Sequence, residues 1–148
     1  MANHVYFNIQ IEGLTEEQYD CLFKTEEITR TREDGSKWST HELLEVHEQP
    51  FMSNVERTYD KDGWIEGAYQ WYCDNCGAKW VNIDDWESGM ITGHSAWSMP
   101  TPMVENMLEY ASNRFGVELR ARMTYEDEFR NFIGIDEFET FFVDGEYC

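Results

Sequence analysis

The sequence predicts an α+β fold in which helices cover one face of an antiparallel sheet. Residues 4–11 and 117–125 alternate apolar and polar side chains, with the period of half-buried strands. Residues 102–115 carry apolar side chains at helical spacing along one side. Strands that alternate in this way bury one face only, so the helices are expected to share that face.

The chain opens with a predicted strand and a predicted helix. Residues 4–11 form the strand, and Gly13 ends its alternation. Thr15 is followed three residues later by Gln18, which is the pattern of a capping box. A helix is therefore predicted over residues 15–24.

The middle of the chain is predicted to be a polar insert, at about residues 26–63. Residues 26–40 are polar and charged around a turn at Asp34-Gly35-Ser36, which predicts a mobile loop. Residues 43–51 have a mixed pattern that is compatible with a strand. Trp38 and Trp64 lie in this insert and are either surface anchors for a partner or side chains folded back onto the sheet.

The second half of the chain repeats the strand and helix patterns. Residues 81–86 and 90–97 are predicted strands on either side of a glycine-containing turn. Pro100-Thr101-Pro102 opens the predicted helix 102–115, and Gly116 ends it. The last predicted strands are 117–125, 129–135 and 138–143.

This order of elements is that of a split βαβ, or ferredoxin-like, arrangement. The strands 4–11, 81–86, 90–97, 117–125 and 129–135 are expected to share one antiparallel sheet. The helices 15–24 and 102–115 are expected to pack on the same face of it. The chain is thus predicted to be a single α+β domain, residues 1–148, interrupted by the insert.

The charge of the chain excludes some partners and favours others. Thirty acidic and eleven basic residues give a net charge of −19. Such a chain is not expected to bind nucleic acid or an anionic membrane, because phosphate contacts need clustered Lys and Arg. No apolar run approaches the ~20 residues of a membrane span, and no signal peptide precedes the first strand. We therefore expect a cytoplasmic protein whose partner has a basic surface.

The close cysteine pair, Cys73 and Cys76, is the weak candidate for a metal site. Its C-x-x-C spacing is that of a zinc knuckle or of a redox pair. A structural zinc needs four ligands, and no second C-x-x-C exists in the chain. Packed or free thiols are therefore favoured, and no metal or cofactor is predicted.

The chain has no recognisable catalytic arrangement. It lacks a G-x-S-x-G nucleophile elbow and a glycine-rich phosphate loop. His94 is expected to be a hydrogen-bonded strand residue rather than a general base. The adjacent carboxylates Asp84-Asp85 and Asp136-Glu137 could bind a hard cation, but thirty acidic residues produce such pairs by chance. A non-enzymatic protein is therefore predicted.

The tryptophan-rich stretch 69–102 carries a resemblance to a known family. The matching residues are Asn75, Gly77, Lys79, Trp80, Ala96, Trp97, Ser98 and Pro100, with Phe132 and Gly134 further on. In these motifs the chain resembles the YubB-like group of small phage and plasmid proteins. Cys76 departs from the pattern, since the family tends to have tryptophan there, and Met99 interrupts the double proline. The resemblance implies a ferredoxin-like fold and a phage or mobile-element origin, and it implies no catalytic residues.

These observations together predict an accessory protein that binds a host protein. Its specific form would be a DNA mimic, which inhibits a basic nucleic-acid-binding host or defence factor. Duplex DNA presents one negative charge per ~1.7 Å of its axis, and a compact protein with a net charge of −19 can imitate a short piece of that field. The alternatives are a small metal-binding or enzymatic domain that uses Cys73 and Cys76, or a virion component. The predicted partner-binding residues are Asp84, Asp85, Glu87, Glu126, Asp127, Glu128, Asp136, Glu137, Glu139, Asp144 and Glu146. They belong to neighbouring strands of the proposed sheet or to the turns of those strands, and they are expected to form one continuous acidic surface.

Overall fold

A computed structural model of the chain describes residues 3–87 and 89–148, without the side chain of Glu87. The described residues form three α-helices, nine strands and two 3₁₀ turns. In chain order these are β1 (His4–Glu12), α1 (Glu16–Asp20), β2 (Thr25–Thr31), β3 (Lys37–Leu43), the 3₁₀ turns Val46–Glu48 and Pro50–Met52, α2 (Ala68–Cys76), β4 (Val81–Glu87), β5 (Met90–Ala96), α3 (Thr101–Phe115), β6 (Arg120–Asp127), β7 (Ile133–Glu139), β8 (Phe142–Val143) and β9 (Glu146–Tyr147).

The main sheet has five strands in the order β4-β5-β1-β6-β7, and every neighbouring pair is antiparallel. β1 is central and pairs with both β5 and β6, so Val5 lies between Ser95 and Asp127. The predicted α+β class and its antiparallel sheet are therefore confirmed. The predicted strand 129–135 is instead found at Ile133–Glu139 as β7, and the predicted strand 138–143 is divided between the end of β7 and the short β8.

One face of this sheet carries the hydrophobic core. The inward row of β1 is buried, and Ile9 is fully covered. α3 packs Met103, Met107 and Leu108 against it with almost no exposure, and Tyr19 of α1 joins the same cluster. Each fully buried apolar side chain of this size contributes about 1.5–3 kcal/mol. Both predicted helices thus pack into the core over the inward face.

α1 is shorter than predicted and ends at Asp20 rather than residue 24. The predicted capping box is present: Thr15 Oγ1 accepts from the Gln18 amide at 3.2 Å, and Gln18 Oε1 accepts from the Thr15 amide at 3.0 Å. The buried side chain of Gln49 accepts from the Lys24 amide at 2.7 Å and donates to the Leu44 carbonyl at 2.8 Å. This contact from the insert fixes the backbone of Lys24 immediately before β2. The chain has therefore left α1 before it reaches residue 24.

The predicted mobile loop is wrong, because residues 25–43 form a regular antiparallel hairpin. β2 and β3 pair from Thr25 opposite Leu43 to Thr31 opposite Lys37. The predicted turn is present at its tip, where the Ser36 amide donates to Asp34 Oδ1 at 2.9 Å. Both faces of the hairpin are largely exposed, so its residues do not alternate between apolar and polar and carry no strand period.

The rest of the insert packs on the helices instead of forming a strand at 43–51. The second 3₁₀ turn buries Phe51 and Met52 completely. Asn106 of α3 donates to the Phe51 carbonyl at 2.8 Å, which fixes the insert to that helix. The part of the insert that follows the hairpin therefore belongs to the core.

α2 was not predicted, because its adjacent aromatic residues give no clear helical period. It begins after Gly67 and ends at Gly77, both in the left-handed region at φ 64° and 89°. A side chain at Gly77 would place its Cβ 2.5 Å from the Pro102 ring, so this position needs glycine. Trp71, Tyr72 and Cys76 of α2 are buried.

The position of the hairpin generates a stability prediction. Replacing residues 28–40 by a two-residue Asn-Gly turn should leave the melting temperature within a few degrees of wild type, because no residue of that segment belongs to the core. Phe51→Ala in the same insert should cost about 3–5 kcal/mol. Thermal unfolding followed by circular dichroism measures both, and a hairpin deletion that does not fold would contradict the prediction.

Candidate functional site

The outward side of the five-stranded sheet is the candidate site, and it is called the open face below. No helix of the described residues covers it. Its residues alternate with the buried inward rows, as the pleat of a strand requires. Read from β5 to β7, its cross-strand rows are His94, Tyr6, Glu126 and Ile133; Thr92, Asn8, Thr124 and Ile135; and Met90, Gln10, Arg122 and Glu137.

One side of the open face carries an aromatic cluster of His4, Tyr6, Trp80 and His94. The His4 ring lies 5.2 Å from Trp80 and 5.7 Å from His94, between ring centroids. Tyr6 lies 6.2 Å from His94 and is 46% exposed. The rings meet because His4 and Tyr6 are two residues apart on β1, and His94 is opposite Tyr6 on β5. An exposed tyrosine in such a group is a typical interface anchor.

Asp84 meets this cluster through a β-bulge. The register of β4 against β5 shifts between Ile83 and Asp85, and the extra residue between them is Asp84. Its Oδ2 lies 2.8 Å from His94 Nδ1, so the expected hydrogen bond of His94 is present. A carboxylate beside an imidazole can orient it as a general base. The nearby hydroxyl of Ser95 is buried and donates to the Ser98 carbonyl at 2.6 Å, so it does not serve as a nucleophile here.

The other side of the open face holds an apolar depression of about 340 Å³ between β1, β6 and β7. Ile133 and Ile135 border it and are 79% and 62% exposed. Asn8 lies among its lining residues, and its Oδ1 is covered without a hydrogen-bond partner in the described chain. Exposed apolar side chains grouped around a polar atom that needs a donor are typical of a binding surface.

The end of the open face beyond this depression is charged. A smaller pocket of about 180 Å³ is lined there by two arginines, Arg120 and Arg122, and by carboxylates. Arg122 lies 3.6 Å from Glu137, and Glu139 is opposite Arg120 in the register. Both members of the Arg122–Glu137 pair are exposed, so the pair adds little stability and leaves its charges available.

The predicted acidic residues do not form the continuous surface that was expected. Asp84 and Asp85 lie on β4, whereas Glu137 and Glu139 lie on β7, and these two strands are opposite edges of the sheet. Four interstrand spacings of ~4.8 Å separate them by about 19 Å. The expectation placed them on neighbouring strands, which is wrong because the chain inserts β5, β1 and β6 between them. The side chain of Glu87 lies outside the described residues.

The acids of β7 also divide between two faces. Glu137 and Glu139 point outward beside Arg122 and Arg120, while Asp136 is half-buried on the inward side opposite Met123. Strand alternation forces this division. Asp144 and Glu146 lie on the β8–β9 hairpin, which Asn113 of α3 holds through its 2.8 Å and 2.9 Å bonds to Tyr147.

Asp127 is buried, so it does not belong to an outward surface. Its carboxylate accepts from the Phe132 amide at 2.9 Å, from Asn131 at 3.0 Å and from Asn3 at 3.1 Å. Burial raises the pKa of this carboxyl, but the donated hydrogen bonds outweigh it and the pKa lies below its usual value. Through these hydrogen bonds, Asp127 stabilises the turn between β6 and β7 and connects it to Asn3, the residue before β1.

The two neighbours of Asp127 remain on the surface. Glu126 is exposed on the open face, where Ile133 is its partner in the register. Glu128 Oε1 accepts from the His4 amide at 3.0 Å, so it borders the aromatic cluster. Of the three predicted acids in this turn, these two are accessible from solvent.

The cysteine pair lies in the last turn of α2. Cys76 is fully buried in the core, and burial raises the pKa of its thiol to about 12. Cys73 is only half-buried. Among the described residues, no group of three or more His, Cys, Asp or Glu side chains is placed to hold a metal ion. Cys76 therefore acts as an apolar packing residue of the helix.

A buried histidine is the feature that sequence reasoning missed. His47 is 1% exposed, and its Nδ1 lies 2.7 Å from the Tyr72 hydroxyl. Burial lowers the pKa of His47; the charges of Glu48 and Glu45 oppose this shift, and that of Arg57 adds to it. The signal in the sequence was the group of aromatic residues around positions 64–72, which enclose this ring.

The two tryptophans of the insert do not fold back onto the sheet. Trp64 is half-exposed and meets the His47 ring edge-on at 5.0 Å. Trp38 lies on the β2–β3 hairpin with the Arg32 guanidinium 5.9 Å from its ring. The surface-anchor alternative stays a prediction for both.

The thiols generate a second prediction. Cys76→Ser should lower stability by about 1–3 kcal/mol, because it buries a hydroxyl in an apolar site. Cys73→Ser, its matched control in the same turn, should change stability little. Thermal unfolding measures both, and metal analysis of the untagged protein should find no zinc. One equivalent of zinc that is lost in both variants would contradict this reading.

His47 generates a third prediction. Its pKa is lowered in the folded state from about 6.5 in the unfolded chain, so the unfolded state binds more protons below that pH. Stability should therefore fall as the pH drops from 7.5 to 5. His47→Asn, which cannot titrate, should be less stable at pH 7.5 but should show a flatter profile. His41→Asn at an exposed position is the control, and an unchanged slope in His47→Asn would refute the assignment.

Comparison with known proteins adds no identification of this site. Protein families, curated proteins and solved structures were all searched, and none matches the chain. None of the helices in the described ranges is long and apolar enough to cross a membrane.

Proposed function

We propose that this chain is a non-enzymatic accessory protein, of phage or mobile-element origin, whose open face binds a host protein with a basic surface. The observation that carries the proposal is a whole sheet face that is left uncovered and exposes Tyr6, Ile133 and Ile135. Monomeric proteins rarely leave grouped apolar side chains exposed without a binding role. The origin rests on the resemblance in the tryptophan-rich stretch.

The strand order supports a ferredoxin-like assignment, which we include in the proposal. β4-β5-β1-β6 is the order of a split βαβ sheet, with α1 following β1 and α3 following β5. β7 would then be an additional strand at the edge beside β6. This arrangement leaves one sheet face free, as the proposed binding surface requires.

Charge and apolar contact have separate roles in the proposed binding. The net charge of −19 attracts a basic protein over a distance and raises the rate of encounter. The open face then supplies the anchors, with Tyr6 among the aromatic rings and Ile135 beside the depression. Glu126 and Glu137 lie next to these anchors and can pair with cations of the partner.

The positions of the acids favour this broader function over DNA mimicry. A mimic needs carboxylates in a regular row that repeats the spacing of phosphates. The predicted acids lie on two opposite sheet edges and on a separate hairpin, and Asp127 is buried. Mimicry therefore remains a narrower form of the proposal, to be separated by competition with DNA.

The enzymatic alternative now rests on different residues. The Cys73 and Cys76 form is not favoured, because Cys76 belongs to the core. The Asp84–His94 pair beside the aromatic cluster is the arrangement that could act as a general base. Asp84→Asn would disable such a base, whereas protein binding that is anchored at Tyr6 and Ile135 should tolerate it.

The proposed function is tested by capturing partners from host lysate and then rebinding the purified partner. Tyr6→Ala should weaken binding about 10-fold, the effect of truncating an interface anchor by ~1.4 kcal/mol. Tyr69→Ala is the matched control, since Tyr69 is 65% exposed but lies on α2 away from the open face. The association rate should fall several-fold between 50 and 300 mM salt.

The same experiment separates the possible outcomes. If the affinity is unchanged by Tyr6→Ala and the association rate is unchanged by salt, the proposal is refuted. Displacement of the protein from its partner by duplex DNA would favour the DNA-mimic form, and persistence of the complex would favour the broader function.

A further inference from the structure

β7 is an edge strand whose outer side is free in the described residues. It pairs with β6 over seven residues, Ile133–Glu139, without a bulge. A strand in this position leaves half of its backbone N–H and C=O groups without a partner strand. An extended segment of another chain can pair with such an edge, and the backbone hydrogen bonds then supply affinity.

The opposite edge of the sheet, β4, is protected against the addition of another strand, whereas the edge at β7 is not. β4 has a bulge between Ile83 and Asp85, and bulges discourage strand addition. The groove on its outer side is bordered by the base of the β2–β3 hairpin through His41 and Leu43. β7 has neither device and instead exposes Ile133 and Ile135.

The side chains of β7 define the chemistry of a strand that would pair with it. Its outward row reads Ile133, Ile135, Glu137 and Glu139, so two apolar positions are followed by two acidic ones. On the inward side, Asp136 is half-buried, and no Lys, Arg or His side chain of the described residues lies within 4 Å of its carboxylate. A complementary strand would place two apolar side chains beside the isoleucines and Lys or Arg beside the carboxylates.

A second copy of this chain does not meet that requirement when the two copies pair over the full length of β7. Antiparallel self-pairing centred on Asp136 would place this carboxylate opposite its own copy and Ile135 opposite Glu137. Like charges directly opposite each other destabilise a sheet. Each copy also carries a net charge of −19, so the long-range field opposes the dimer.

We propose that β7 receives an extended, basic and partly apolar segment of the partner protein as a sixth strand of the sheet. This inference rests on the proposed function only in that it requires a protein partner. The added strand would lie on the outer side of Ile133 and Ile135, which border the apolar depression, so its apolar side chains would extend the apolar surface that these two residues begin. Charge complementarity along β7 selects the basic segment.

A synthetic peptide tests the proposal without knowledge of the natural partner. The probe reads, from its acetylated N-terminus, lysine–valine–lysine–lysine–valine–threonine–valine with a fluorophore at its C-terminus. In antiparallel register, its lysines face Glu139, Glu137 and Asp136, and its last two outward valines face Ile135 and Ile133. Fluorescence anisotropy should show saturable binding, and the β7 amides should exchange more slowly with deuterium when the peptide is bound.

Two control peptides and two variants make the test specific. N-methylation of the edge-facing amides keeps the side chains but removes the donors, and it should weaken binding at least 10-fold. Replacing the lysines by glutamates should do the same. Ile135→Lys should weaken binding about 10-fold, whereas Met90→Lys, on β5 of the same face, should not. Ile133→Lys replaces Ile135→Lys if the latter unfolds.

The results separate this inference from the proposed function. If the N-methylated peptide binds with an affinity within twofold of the parent peptide, strand addition is overturned. It is also overturned if light scattering shows that the wild-type protein is a dimer and that Ile135→Lys is a monomer. If the lysate partner still depends on Tyr6 and salt while the peptide fails to bind, strand addition alone is refuted. If the peptide binds as described, but binding of the lysate partner is unchanged by Tyr6→Ala and by salt, strand addition is supported and the proposed function of the open face is refuted.

Discussion

The alternation of β1 is the constraint on which the rest of the structure depends. β1 is the central strand, so its inward row, from Val5 to Ile11, sets the face on which every helix must pack. Its outward row, which includes Tyr6 and Asn8, is placed on the opposite side by the same pleat. The core and the candidate binding surface are thus two consequences of one period-two pattern. A shift of the register by one residue would exchange them.

The features that follow from local periodicity were predictable, and those that depend on packing were not. The five sheet strands and α3 were found because each buries one side and exposes the other. The β2–β3 hairpin and α2 were missed, the first because it is exposed on both faces and the second because Trp71 and Tyr72 stand next to each other. The acidic site was only partly predictable, because strand order, which separates Asp84 from Glu137, is not written in a local pattern.

Net charge and local surface chemistry give different information about the partner. The charge of −19 describes the whole chain and indicates what the protein attracts. The open face is more mixed, since Arg120 and Arg122 stand among its carboxylates and apolar side chains. Asp127 illustrates the same point for a single residue: its charge suggested a partner contact in the sequence, and its carboxylate is committed to the interior.

The β2–β3 hairpin gives the molecule an electrical polarity. Its strands of seven residues, at ~3.3 Å each, reach about 23 Å. Residues 30–37 at its far end contain three basic and two acidic side chains, a sign opposite to that of the whole chain. A basic surface that approaches this molecule would therefore repel the tip of the hairpin and attract the remainder. This polarity favours an approach in which the tip of the hairpin points away from the basic surface.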